Sequence, residues 1–365
     1  MSRIRPLERK DLPQVVGLFE LVMRSGASKP LPQLAGFFER TLFDSPWADP
    51  DIPSLVYEDA GEIVGLICSN PRRMLFDGRP IRMACSAYLL THPRVRGQAV
   101  GALLMRAFRA GPQDLTVTDG ATETVRRMSE TLGGQTAHLG CLSFVRVFRP
   151  SQLASDHLFG GGSVRPLQAG LRPAWSAFDW VSARLAAKTL VPAKPDGTVE
   201  DLTPAAMLEH LPTVTASARL RSDYDLRYLE WLFEELDDIS RWGPVQPRLV
   251  RRGPRWAELV KRNGQVLGWY VCQLRRGGFC RLLQFAATEQ GAETVFDQLA
   301  YRARELGAAG LYGRIEPRLV GPLSTRGCLI RFGDGRLLVH STREEIVHAI
   351  LSGNALLTRL DGEWW

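Results

Sequence analysis

The sequence predicts an α/β protein with mixed α+β sheets, built as two similar domains in tandem. Three observations carry that reading. Strand and helix signals alternate from the N-terminus onward. A glycine-punctuated hairpin followed by a long strand and a helix occurs twice. The 365 residues suffice for two cores.

Composition narrows the class. Apolar content of 45% and charged content of 23% are those of a soluble globular protein. No run of eighteen apolar residues suggests a membrane span, and "MSRIRPLERKDLPQ" lacks the apolar core of a secretory signal. Cys68, Cys85, Cys141, Cys272, Cys280 and Cys328 are scattered without a CxxC pair, so they read as reduced core residues of a cytoplasmic protein. A net charge of +7 permits an anionic partner. The absence of a basic tail or aromatic-basic stripe argues against nucleic acid.

Element by element, "SRIRPL" reads as a short strand and "KDLPQVVGLFELVMR" as a helix capped by Asp11 with Pro13 in its first turn. "LPQLAGFFERTLF" is a second helix. "SLVYEDAGEIVGLICSN" is a hairpin turned at Ala60-Gly61, followed by a basic turn in "NPRRM". "RPIRMACSAYLLT" is a long strand, "DLTVTD" a strand, "TETVRRMSETLGG" a helix stopped at Gly133 or Gly134, and "CLSFVRVF" a strand. This first domain covers 1–150. Residues 151–197, with "FGGGS" and a possible connecting helix carrying Trp175, Phe178, Val181 and Leu185, read as the linker. Residues 198–365 form the second domain, where "GQVLGWYVC" repeats the "GEIVGLIC" pattern ahead of another long strand and helix.

The stretch "THPRVRGQAVGALLM" carries the chemistry. Val100, Leu103, Leu104, Ala107 and Phe108 have the spacing of a core-facing helix stripe. Its first-turn amides have no helical acceptor, and Gly97, Ala99 and Gly101 let another group approach the backbone. Arg94 and Arg96 add positive charge at the positive end of the helix dipole, which suits a phosphate or pyrophosphate. The same residues also fit an ordinary basic loop capping a helix.

Pro93, Arg96, Gly97, Gln98, Ala99, Val100 and Gly101 resemble the acetyl-CoA motif of the GNAT (GCN5-related) N-acetyltransferases, an Arg/Gln-x-x-Gly-x-Gly/Ala turn opening a helix. Ala99 stands where that motif has its first glycine. The element order over 1–150 is similar to the family's fold, and the chain resembles two GNAT-like acyl-CoA N-acyltransferase domains in tandem. The resemblance implies acetyl-CoA, or another acyl-CoA, as cosubstrate and no metal. It implies that the amides from Arg96 through Gly97, Gln98, Ala99, Val100 and Gly101 to Ala102 hold the pyrophosphate. The backbone of Leu89, Leu90 and Thr91 then pairs with the pantetheine arm, and Thr122 takes the place of an asparagine on the next helix. No GxxxxGK[ST], strand-linked GxGxxG, HExxH or GxSxG supports another phosphate or hydrolase chemistry. In the second half, "FAATEQGAETVF" has Glu289 and Glu293 at the equivalent turn and no arginine, so it reads as a degenerate copy that has lost CoA. That copy either walls the acceptor cleft or is purely structural.

Acetyl transfer needs a proton acceptor, a polarised carbonyl and a fate for the thiolate. Ser129 aligns with the tyrosine that often serves the thiolate in the family. Tyr88 is the polar residue best placed on the long strand, with packing as its alternative. Asp119 reads as a base or as a helix N-cap. "LDGEWW" is a further candidate, since some multi-domain GNATs that modify aminoglycosides direct their terminal carboxylate into the active site. Alternatively Trp364 and Trp365 dock the tail. The expected activity is acetyl (acyl) transfer from acetyl-CoA to a primary amine of a small-molecule acceptor, by a cytoplasmic monomer or homodimer without a membrane partner. The alternatives are a non-catalytic acyl-CoA sensor or scaffold, and a protein or peptide N-acetyltransferase.

Overall fold

A computed structural model of the chain describes residues 2–24, 31–150, 191–192, 194–242, 253–274, 278–333 and 335–363. The expected connecting helix and both terminal tryptophans lie outside them. In chain order the elements are β1 (Arg3–Pro6), α1 (Leu12–Met23), α2 (Leu34–Leu42), β2 (Leu55–Asp59), β3 (Glu62–Phe76), β4 (Arg79–Thr91), α3 (Val100–Arg109), β5 (Leu115–Ala121), α4 (Glu123–Thr131), β6 (Gln135–Thr136) and β7 (Leu142–Val147). There follow β8 (Thr198–Asp201), α5 (Pro204–Val214), β9 (Leu220–Ser222), α6 (Leu226–Ser240), β10 (Arg255–Arg262), β11 (Gln265–Leu274) and β12 (Phe279–Ala287). The chain continues with α7 (Ala292–Glu305), β13 (Gly310–Arg314), α8 (Val320–Thr325), β14 (Leu329–Phe332), β15 (Arg336–His340) and α9 (Glu344–Leu351).

Two compact units result, each with one mixed sheet. In the first unit the strand order is β1-β2-β3-β4-β5-β15-β6, with β9 added to the far end of β3. In the second it is β8-β10-β11-β12-β13-β7-β14. Among the described strands each sheet has one parallel pair, β4 with β5 and β12 with β13, the other strand pairs being antiparallel. The repeat therefore extends from the hairpin to the seven-strand path, with β9 as an addition in the first unit only among the described residues. Its sixth strand, however, comes from a distant part of the chain in both units.

That exchange places the units differently from the contiguous 1–150 and 198–365 division. Leu142–Ala216 falls in the second unit, whereas Ser217–Arg251 and Asp334–Trp365 fall in the first. The physical reason is the open edge of β5 and of β13. A buried strand needs a hydrogen-bonded neighbour on each side for its amides, and β15 and β7 supply the second one. Both are short apolar strands, so nothing local says which sheet either joins.

The tight turns follow residue chemistry. Ala60-Gly61, Asp77-Gly78 and Asn263-Gly264 all have positive φ at both positions, as two-residue hairpin turns require. Residues "NPRRM" are strand, not turn, because the reversal waits for Asp77-Gly78. Alternation explains the arginines, since Arg72 is buried among Asn70 and Met74 while Arg73 faces out. Asp11 precedes α1 without capping it; its carboxylate accepts from the Glu8 amide and from Arg5.

One face of the first sheet packs against α3 through Val64, Ile67, Ala84, Val100, Leu104 and Phe108. Leu103, expected in that stripe, is 42% exposed, and Ala107 is half-buried. Gly65 lets the helix approach: a Cβ there would lie 2.8 Å from Val100 Cγ1 and 2.9 Å from Leu104 Cδ1. Toward the far end of the sheet, Met83, Leu115 and Val117 join Val339, Ile346 and Ile350 in a second core. Helix α6 also belongs to this unit, where Tyr228 stacks on Trp47 at 3.6 Å and Glu235 pairs with Arg40 at 2.5 Å.

Candidate functional site

Strand β4 leaves β5 partway along its length. The two pair only from Met83↔Leu115 to Cys85↔Val117, after which Ser86 Oγ and Thr118 Oγ1 meet at 2.5 Å. At Tyr88 the backbone takes a left-handed φ of 47°, opposite a register shift between Leu66 and Cys68. Such a bulge bends the strand. Leu90 and Thr91 stay paired with β3, while Leu89 to Thr91 have no pairing to β5 among the described residues. An open strand edge of this kind accepts an extended chain carrying amides.

The loop then turns onto α3. His92 N donates to Val64 O, and His92 Nδ1 accepts from Arg94 N. Gly97 has φ of 89° and Ala99, the helix N-cap, φ of 57°. The helix ladder begins with Leu103 N donating to Ala99 O. Gly97, Ala99, Val100, Gly101 and Ala102 therefore present amides with no backbone acceptor among the described residues, at the positive end of the helix. The Gln98 amide is taken by Val95 O and the Arg96 amide by Pro93 O. Of the two expected cations, Arg94 is tied to Glu62 at 2.5 Å. Arg96 is exposed and pairs with no carboxylate among the described residues. The donors fit a diphosphate.

The residues proposed for chemistry separate. Tyr88 sets its ring edge-on to Phe19 and Phe38, at 5.0 Å and 5.9 Å, on the face opposite α3. Ser129 is fully buried and its Oγ accepts from Arg109 Nη2 at 2.6 Å. Asp119 is not an N-cap, because Thr122 caps α4 by accepting from Val125 N. Asp119 is instead buried at the end of β5, 3.6 Å from Arg359 and accepting from Glu363 N at 3.4 Å.

Sequence reasoning missed the buried polar groups around Asp119. Asn70 Nδ2, Arg72 Nη2 and Tyr228 Oη are buried without a hydrogen-bond partner among the described residues. Arg72 Cζ sits 5.6 Å from the Tyr228 ring, and Arg72 Nε donates to Asp361 O at 3.1 Å. Burial pushes Tyr228 up to about 12, and pushes the Cys68 and Cys85 thiols well above their usual range. Alternation along β3 alone marks Asn70 and Arg72 as inward-facing. The Asp361 carbonyl that Arg72 meets comes from far along the chain.

The second unit lacks the loop. Thr288 N donates to Leu267 O just as His92 N does to Val64 O, and Gly268 pairs with Ala287 where Gly65 pairs with Thr91. From there the chain reaches α7 through residues 288–291 only. Glu289 and Glu293 stand at this turn, beside Arg318 at 3.7 Å and Arg326 at 3.1 Å. Among the described residues no group of His, Cys, Asp or Glu is placed to hold a metal, and no helix is long and apolar enough to cross a membrane.

Residues 3–111 match the family model described as an acetyltransferase (GNAT) domain. No curated protein sequence matches the chain. Among solved structures, it is similar to a probable N-acyltransferase from Enterococcus faecalis V583, at TM-score 0.56 and 11% identity over 93% of this chain and 73% of that one. It is similar to a GCN5-related N-acetyltransferase from Kribbella flavida, at TM-score 0.53 and 14% identity over 93% and 71%. The N-myristoyltransferase of Saccharomyces cerevisiae with bound myristoyl-CoA gives TM-score 0.51 and 13% identity over 93% and 78%. At these identities the likeness is one of fold.

Proposed function

With residues 3–111 a GNAT acetyltransferase domain, we propose that the first unit binds one acyl-CoA per chain and transfers its acyl group to an amine. The carrying observation is the opening of β4 from β5 directly ahead of the unpaired amides at Gly97 and Ala99–Ala102. Those amides and Arg96 receive the pyrophosphate, and the backbone of Leu89, Leu90 and Thr91, beyond the last β4–β5 pair, takes the pantetheine amides. Acetyl-CoA is the acyl donor and a small primary amine the acceptor. The second unit is a duplicated GNAT-like domain that does not bind CoA, since its short turn carries Glu289 and Glu293. Calorimetry with acetyl-CoA and a panel of amines and peptides assayed for CoA release test this reading. One site per chain and release with a small amine are expected. Release only with peptides would replace the small-molecule acceptor.

A further inference from the structure

We infer, resting on the acyltransferase reading of the first unit, that Glu363 takes the proton of the acceptor amine. The C-terminal segment is built into this unit. Thr358 N and Oγ1 donate to Asp361 Oδ2 at 2.8 and 2.6 Å, while the Ser222 and Tyr224 hydroxyls donate to Asp361 Oδ1. Arg72 holds the Asp361 carbonyl. These bonds aim the next residues at the end of β5, where Glu363 N meets Asp119 Oδ2. A Cβ added to Gly120 would lie 3.0 Å from Glu363 Oε2. Gly120 follows the last β4–β5 pair, so the carboxylate stands where the strands part.

Three carboxylates gather here, and their surroundings divide the work. Asp361 is 1% exposed and filled with hydroxyl and amide donors; Asp119 is 2% exposed and faces Arg359. Glu363 is only half-buried, unlike the other two. Among the described residues the titratable groups here are Asp119 from β5, Cys68 and Arg72 from β3, Cys85 from β4, Tyr224, Tyr228 from α6, and Arg359 and Asp361 from the tail. The negative charge of Glu363 adds to burial in raising both thiols.

In the step, an ammonium gives one proton to Glu363, directly or through one water, and Glu363 later releases it to solvent. The freed nitrogen lone pair forms the C–N bond to the thioester carbonyl carbon. The C–S bond breaks, its electron pair leaving on sulfur, and a second nitrogen proton ends on that sulfur. The products are an amide and CoA thiol.

The test compares wild type, Glu363→Gln and Glu363→Asp, with acetyl-CoA and benzylamine, cadaverine or L-lysine amide, measuring CoA release from pH 5.5 to 9.5. Glu363→Gln is expected to lose at least ~100-fold in kcat, the low end for a general base. It should also lose the enzyme's acid limb in kcat/KM, with partial recovery in Glu363→Asp. Acetyl-CoA affinity and melting temperature should match wild type. Turnover within threefold of wild type at every pH overturns the inference, and so does a Glu363→Gln loss accompanied by lost acetyl-CoA binding or a lowered melting temperature. No release from wild type with any of the three amines counts against the small-amine acceptor of the proposed function, rather than against Glu363 alone, and removes this inference with it.

Discussion

Arg109 Nη2 donates to Ser129 Oγ at 2.6 Å, joining α3 to α4, and Arg109 Nη1 donates to the Ser129 and Leu132 carbonyls. Burial pushes Arg109 down to about 10, so it remains charged near neutrality. The serine hydroxyl thus completes a buried cation whose Nε already lacks a partner among the described residues. Ser129→Ala should destabilise by about 1–3 kcal/mol, the cost of an orphaned buried donor. At saturating acetyl-CoA it should lower kcat by less than ~10-fold, below the range of a general acid. A hundredfold loss in a variant shown to be folded would make Ser129 the acid after all.

Arg96→Glu should weaken acetyl-CoA binding by about 1–3 kcal/mol, the scale of a charge-assisted hydrogen bond. The exposed loop has no carboxylate partner for Arg96, so the variant breaks no ion pair seen among the described residues. Calorimetry should give one site in wild type and about 5- to 150-fold weaker binding in the variant. Unchanged affinity would take the pyrophosphate off this loop.

Gly65→Ala tests whether the approach of α3 to β3 sets the site. The added Cβ would meet Val100 Cγ1 at 2.8 Å, Leu104 Cδ1 at 2.9 Å and Tyr57 Cβ at 3.1 Å. Overpacking of this kind costs about 1–3 kcal/mol. Val100 opens the helix whose amides face the ligand, so acetyl-CoA affinity should fall together with the melting temperature. Val100→Ala in the Gly65→Ala background should recover part of both. Independent, additive effects would mean the contact relaxes elsewhere.

Asp11 accepts from Arg5 Nη1 at 2.6 Å and Nη2 at 2.9 Å, and this bonding holds its carboxyl below the ordinary 3.8. A depressed folded value means the stabilisation is fully present above the unfolded value and is lost as pH falls through the folded one. Urea denaturation should therefore show a larger Asp11→Asn deficit at pH 7 than at pH 3. An equal deficit at both would assign the effect to packing rather than to charge.

Local chemistry made much of this protein legible. The Ala60-Gly61 turn is readable from its own residues, whereas the turn expected in "NPRRM" falls at Asp77-Gly78 and the cap considered at Asp119 belongs to Thr122. The α3 loop could be read because its glycines, its proline and Arg96 lie in one stretch. Arg72 could not: two adjacent arginines after a proline resemble a turn, and what buries Arg72 is the Asp361 carbonyl, 289 residues later. Glu363 and Asp119 were likewise visible only as separate ends of the chain. Pairing by β7 and β15 is non-local in the same sense.

That non-locality predicts the behaviour of residues 1–150 made alone. In the full chain β5 is flanked by β15, with Val117 opposite Val339 and Thr118 opposite Leu338. Met83, Leu115 and Val117 are buried with Ile346 and Ile350 from the same distant segment. The fragment exposes this apolar surface and leaves one edge of β5 without hydrogen-bond partners, the arrangement that promotes association between strands. It retains β7, whose topological position in the second sheet matches that of β15 in the first. Back-folding of β7 would bring Arg146, however, and β15 has no charged residue between Arg336 and His340. Seating that guanidinium in the apolar core costs several kcal/mol unless it is paired. The fragment should consequently bind a hydrophobic dye, melt without cooperativity and fail to bind acetyl-CoA, although it contains the entire loop from Arg96 to Ala102. Val339→Asp in the full chain should produce the same loss of acetyl-CoA binding by burying a charge opposite Val117. A soluble 1–150 fragment that melts cooperatively and binds acetyl-CoA would show that β15 is dispensable, and the exchanged strand would then have no part in building the site.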